Sequence, residues 1–107
     1  MTDKELLELA AKAAGIHLLW HERWGCWYDH NKRNESKDFQ EWNPLTDDGD
    51  ALRLAVKLNL EVDCCEDCVT VATEDAIYFD EQHNGDPYAA TRRAIVRAAA
   101  EIGKEMR

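Results

Sequence analysis

The chain has 107 residues, 45% of them apolar and 33% charged, with a formal net charge of −9. That length is one domain, able to bury roughly two thirds of the surface its unfolded form exposes, and the apolar share excludes disorder throughout. No apolar run approaches the ~18 residues of a membrane span, and Asp3, Lys4 and Glu5 stand where a secretory signal would show a basic end and apolar residues, so a cytosolic protein is expected.

In chain order, Thr2 and Glu5 have capping-box spacing and predict a helix starting at Thr2 or Asp3. Leu6, Leu9, Ala10 and Ala13 line one face, with Leu7 and Ala14 beside it, and Gly15 is placed to end the helix in left-handed conformation. The pattern then changes period. Ile16, Leu18 and Trp20 alternate with polar neighbours, and a second run at residues 24–28 follows Glu22 and Arg23, which predicts a hairpin. Trp20, Trp24, Trp27 and Trp42 fall in or beside these strands. At least two are expected in the core, and one or two exposed, where tryptophan is a favoured anchor for protein contacts. Residues 29–37 are polar and without period, and read as a surface loop.

Residues 42–60, WNPLTDDGDALRLAVKLNL, organise the chain. A residue before proline is held out of helical conformation, so Asn43-Pro44 predicts a turn into a helix over about residues 50–58. Thr46 or Asp47 is the expected N-cap, and the Asp47, Asp48 and Asp50 carboxylates suit the positive end of the helix dipole. Their spacing lacks the ligand pattern of a calcium loop. Leu52, Ala55 and Val56 form an apolar stripe, widened by Leu54 and Leu58, expected to pack against the sheet. Beyond it, Leu60, Val62 and Cys64 alternate with Glu61, Asp63 and Cys65, and Val69, Val71 and Thr73 show the same period past Cys68, predicting two strands joined at Glu66-Asp67. Residues 76–79 extend the second strand or form a fifth, and residues 80–85 read as a loop. Asp86 and Pro87 then open a last helix, with Tyr88, Thr91, Ile95, Ala98 and Ile102 as its stripe and Ala94 and Ala99 flanking it. Arg92, Arg93 and Arg97 are expected outside, in a solvated or salt-bridged face, with Arg97 spaced to pair with Glu101.

Three of these blocks carry a resemblance. Residues 42–58 (WNPLTDDGDALRLAVKL), 85–103 (GDPYAATRRAIVRAAAEIG) and 1–16 (MTDKELLELAAKAAGI) are similar to the phage ABA sandwich domain family, small phage and prophage proteins, and more distantly to NinX-like phage proteins. They cover about half of the chain, whereas residues 17–41 and 61–84 depart from the pattern. The resemblance implies an α-β-α sandwich made in a bacterial host's cytoplasm, and it implies no catalytic residues. From the residues themselves we expect one α+β domain over residues 1–107, an antiparallel sheet of about four strands with three helices on its two faces.

The charge distribution bears on partners. Of 22 acids, nine lie in residues 61–86 (Glu61, Asp63, Glu66, Asp67, Glu74, Asp75, Asp80, Glu81 and Asp86) with no lysine or arginine, and the other 13 match the 13 bases. An acidic surface repels phosphate, so direct nucleic-acid binding is not expected. The segment reads as a solvated edge that keeps a small protein soluble, or as a patch recruiting a basic partner, even as a mimic of DNA. The contact residues expected from this reading are Trp24, Trp27, Trp42, Glu66 and Asp67, on a host or phage protein. A free sheet edge also offers a route to a homodimer.

Cys65 and Cys68 form C-x-x-C after Cys64, and Cys26 lies far off in sequence. A tight turn can aim two thiolates at one tetrahedral zinc, but the second ligand pair would have to come from Cys64, Cys26 or a histidine, none in paired spacing. Reduced thiols with no cofactor, and Cys64 inward, are the expectation, with zinc at this hairpin as the alternative. A glycine-rich phosphate loop and a G-x-S-x-G elbow are both missing, and Ser36 is the only serine, so the reading is a binding protein and not an enzyme.

Overall fold

Thr2, Asp47 and Asp86 each accept the backbone N–H three residues on, at Glu5, Asp50 and Ala89, and each starts a helix. In the computed structural model, which describes residues 1–29 and 41–106, the order is α1 (Asp3–Ala14), β1 (Leu18–His21), β2 (Cys26–Asp29), α2 (Asp48–Lys57), β3 (Glu61–Cys64), β4 (Cys68–Ala72), β5 (Tyr78–Gln82) and α3 (Pro87–Glu105). The fold is α+β, with three helices and antiparallel strand pairing among the described residues. The strands divide into two sheets, β1-β2 and β3-β4-β5. No helix among the described residues is long and apolar enough to cross a membrane.

Gly15 ends α1 at φ 71°, a conformation costly for a residue with a side chain, and the Ile16 N–H closes back on the Ala11 carbonyl at 2.9 Å. α1 and α3 then run side by side in the same direction. Asp3 meets Arg93 near their starts, and the Lys12 ammonium donates to the Met106 carbonyl at 2.9 Å near their ends. Their contact is made by small residues, Ala10 and Ala14 on one helix and Ala94, Ala98 and Gly103 among those buried on the other. Small side chains let the two backbones approach closely.

One face of the larger sheet, carrying Val69 and Val71, is buried beneath α3. Glu61, Asp63, Tyr78 and Asp80 line its other face and are exposed, so α3 covers one side where helices on both sides were expected. β5 is a separate strand. Thr73 and Ile77 close the turn before it, with Ala76 at φ 61°, and it takes in Asp80 to Gln82, which were expected in a loop.

The smaller sheet is fastened to α1. Trp27 Nε1 donates to the Lys4 carbonyl at 3.3 Å, and the Lys4 ammonium stands 4.0 Å over the Trp20 ring. Glu41 bridges to Tyr28, and the Trp42 N–H donates to the Trp27 carbonyl at 2.8 Å, which delivers the Trp42 ring to the core at 4% exposure. Trp42 therefore fills the interior, and cannot serve the surface contact expected of it. The expected loop over residues 29–37 lies outside the described residues except for Asp29, which ends β2.

The Asn43-Pro44 turn is held by Asp50. Its carboxylate is buried, accepts the Asn43 N–H at 3.0 Å, and pairs with Arg53 at 2.7 Å. A buried carboxylate needs both partners to offset its lost hydration. From there α2 packs on α3 rather than on a sheet. Arg92 of α3 seals the joint, with Nε donating to the Leu45 carbonyl at 2.8 Å and Nη1 reaching Asp48 at 2.6 Å. The buried face of α2 is Ala51, Leu54 and Ala55, with Leu58 half-buried. Leu52 and Val56, expected in the core stripe, are 64% and 69% exposed. Tyr88, expected in the α3 stripe, is likewise 70% exposed.

Candidate functional site

Those displaced apolar residues mark a surface groove. Leu52 stands on α2, Tyr88 and Thr91 on the first turns of α3, and Val62 and Cys64 on β3; together they border an open cleft of about 500 Å³ with Ile95 of α3 among its walls. Val56 extends the apolar surface one turn along α2 from Leu52. Each element has a local reason to stand there. α2 turns Ala51, Leu54 and Ala55 to α3, which rotates Leu52 and Val56 outward. β3 presents Val62 and Cys64 on the same side as Val71 and Val69 of β4, but β3 is the edge strand and, among the described residues, no helix covers it as α3 covers β4. Exposed large apolar residues scattered singly are ordinary on a protein, whereas several sharing one cleft mark a contact surface.

The acids of residues 61–86 lie along the three-stranded sheet and its turns, and none of them lines the cleft. Among the described residues, Glu81 is the one acid of residues 61–86 held in an ion pair, at 3.0 Å from Arg97 and 3.8 Å from Arg93. Arg97 thus pairs across to β5 and not with Glu101. Asp80 accepts the Thr70 hydroxyl at 2.6 Å, and Glu74 accepts from the Asn59 amide at 2.8 Å. Glu61, Asp63, Glu66 and Asp67 keep exposed carboxylates along β3 and its turn.

The expected contact residues divide between the two sheets and the core. Trp24 sits in the β1–β2 turn at 58% exposure, its ring stacked 4.7 Å from His21; Trp27 is half-buried under Lys4, and Trp42 is in the core. Glu66 and Asp67 occupy the turn of the other sheet, and none of the tryptophans borders the groove. Leu52, Val56 and Tyr88 fall in the apolar stripes expected of α2 and α3, so stripe periodicity alone does not reveal the groove. The signal was present as a second apolar pair, Leu52 and Val56, one turn apart and displaced around α2 from Ala51, Leu54 and Ala55.

The cysteines gather only in part. Cys64, Cys65 and Cys68 sit at the end of the β3–β4 hairpin, while Cys26 belongs to the smaller sheet, and all four are free thiols. Cys64 faces the groove side but is exposed rather than inward. Among the described residues, no three histidine, cysteine, aspartate or glutamate side chains stand together as a metal set. The charge of the Asp63 carboxylate, above all, pushes the Cys65 thiol above its ordinary range, opposite to the shift that activates a nucleophilic thiolate. Asp63→Asn should therefore lower that value and speed iodoacetamide alkylation of Cys65 near neutral pH, read by peptide mapping. An unchanged rate would show that another group controls the thiol.

No protein-family model matches this chain, and neither does any curated protein or any solved structure.

Proposed function

We propose that this chain is a phage- or prophage-encoded accessory protein that works in the cytoplasm of its bacterial host by binding another protein, of phage or host origin, and has no catalytic role. The origin rests on the resemblance of residues 1–16, 42–58 and 85–103 to the phage ABA sandwich family. The mode of action rests on one observation, the exposed apolar groove bordered by Leu52, Val62 and Tyr88 beside an acidic hairpin. This surface takes the place of Trp42, which is buried, while Trp24 is exposed and Trp27 half-buried.

The test compares cross-linked capture from infected or lysogenic cells by the unchanged protein, by Leu52→Asp and by Trp24→Ala. Both positions are exposed, so each substitution should move stability by no more than ~0.5 kcal/mol. A specific protein should be recovered by the unchanged chain and by Trp24→Ala, and at least ~10-fold less by Leu52→Asp. Equal recovery with Leu52→Asp would sink the groove reading, and a loss confined to Trp24→Ala would move the site to the β1–β2 turn.

A further inference from the structure

Among the described residues no further strand pairs with either edge of the three-stranded sheet, and the two edges differ in one respect. Along β5, the bonds from His83 N–H to Asp67 and from Thr73 N–H to Ile77 set the phase of the ladder, so Phe79 and Glu81 face β4 and the backbone of Asp80 points outward. Arg97 closes that edge, its Nη1 donating to the Asp80 carbonyl at 3.1 Å. Along β3, the Cys65 N–H bonds the Cys68 carbonyl at 2.9 Å, so Asp63 and Glu61 face β4 while the N–H and C=O of Val62 and Cys64 point away from it. Among the described residues, no side chain reaches these groups as Arg97 does on β5.

The side chains of the same two residues, Val62 and Cys64, border the groove, whereas Glu61 and Asp63 project from the opposite face. β3 therefore offers open backbone groups, an apolar cleft on one side and two unpaired carboxylates on the other. A second copy of this chain fits poorly. Antiparallel pairing of two β3 strands with their groove faces matched sets Glu61 opposite Asp63, or Asp63 opposite itself, and like charges directly opposite destabilise a ladder.

We propose that β3 is a landing strand for an extended segment of a partner protein in which apolar residues alternate with lysine or arginine. The segment adds to β3 as a fourth strand, places its apolar side chains in the groove opposite Val62 and Cys64, and sets its basic ones opposite Glu61 and Asp63. This rests on the protein-binding reading of the groove and specifies the partner's chemistry.

The probe is a blocked peptide alternating lysine and valine, titrated calorimetrically into the full chain. It should bind at least ~10-fold tighter than a peptide alternating glutamate and valine, or one with its lysines and valines in separate blocks, and should weaken as salt is raised. Val62→Pro removes an outward N–H and leaves the ladder to β4 intact, so it should lower affinity by at least ~10-fold. Because proline can disturb the hairpin, a second measurement leaves the protein unchanged and N-methylates the peptide valines, with the same expected loss. No preference among the three peptides overturns the inference. If Leu52→Asp abolishes binding while Val62→Pro and the N-methylated peptide bind as before, strand addition is overturned and the groove still binds protein. A dimer in sedimentation that Val62→Pro dissociates gives the edge to a second copy and overturns the proposal as well.

Discussion

Trp42→Ala should cost the protein about 3–5 kcal/mol of stability, the usual range for truncating a buried tryptophan. Domains of this kind hold roughly 5–15 kcal/mol in total, so the variant should melt at least ~15 °C lower and populate unfolded chain at physiological temperature. The cause is local. Trp42 is the residue through which the β1–β2 hairpin, the Asn43-Pro44 turn and the core meet, by its backbone bond to Trp27 and its buried ring. Trp24→Ala is the matched control, since the same side chain is removed from an exposed turn. Thermal unfolding followed by circular dichroism separates them, and a Trp42→Ala variant that melts with the unchanged protein would return Trp42 to the surface.

Gly103→Ala should destabilise by about 2 kcal/mol, although alanine is the better helix former by ~1 kcal/mol. A methyl group built at Gly103 overlaps the Leu9 carbonyl group of α1, with the carbonyl carbon 2.8 Å away. The obstruction is backbone and cannot rotate aside, so α1 and α3 must separate, loosening the small-residue contact along their length. The melting temperature should fall by roughly 10 °C. Gly49→Ala is the contrast, because the nearest atoms there are side-chain ends of Arg53 and Asp47, 3.2 to 3.3 Å away, which need give by only a few tenths of an ångström. It should change stability by no more than about 0.5 kcal/mol. Equal effects of the two substitutions would refute the close α1–α3 approach.

Much of the local structure is legible in single residues. Thr2, Gly15, Asp47, Asp86 and Pro87 each do what their chemistry dictates within four residues along the chain, and the element boundaries follow from them. The β1–β2 and β3–β4 hairpins are legible too, because two apolar runs stand on either side of a short turn, although Trp24, expected in the second strand, lies in the first of these turns. β5 was harder to place. Its exposed residues are Tyr78, Asp80 and Gln82 and its inward pair is Phe79 and Glu81, the latter a carboxylate neutralised by Arg97 from α3, a partner 16 residues away. Period alone does not show such a pairing.

The candidate site lay outside what local patterns reveal. α2 carries apolar residues around more than half of its circumference, and either Leu52 with Val56 or Ala51 with Leu54 could have been the inner stripe. Burial of Asp50 against Asn43 and the clasp of Arg92 on Leu45 and Asp48 set the rotation of the helix, and both are contacts with other segments. The same holds for the tryptophans, whose depth depends on which strands dock and not on their spacing. By itself the sequence determined the helix starts, the antiparallel hairpins, the uneven charge and the α+β class, because capping, turn chemistry and alternation act over a few residues. Only the tertiary structure decided which apolar face of α2 is left exposed, which tryptophan fills the core and which sheet edge stays open, because each depends on the packing of segments distant in the chain.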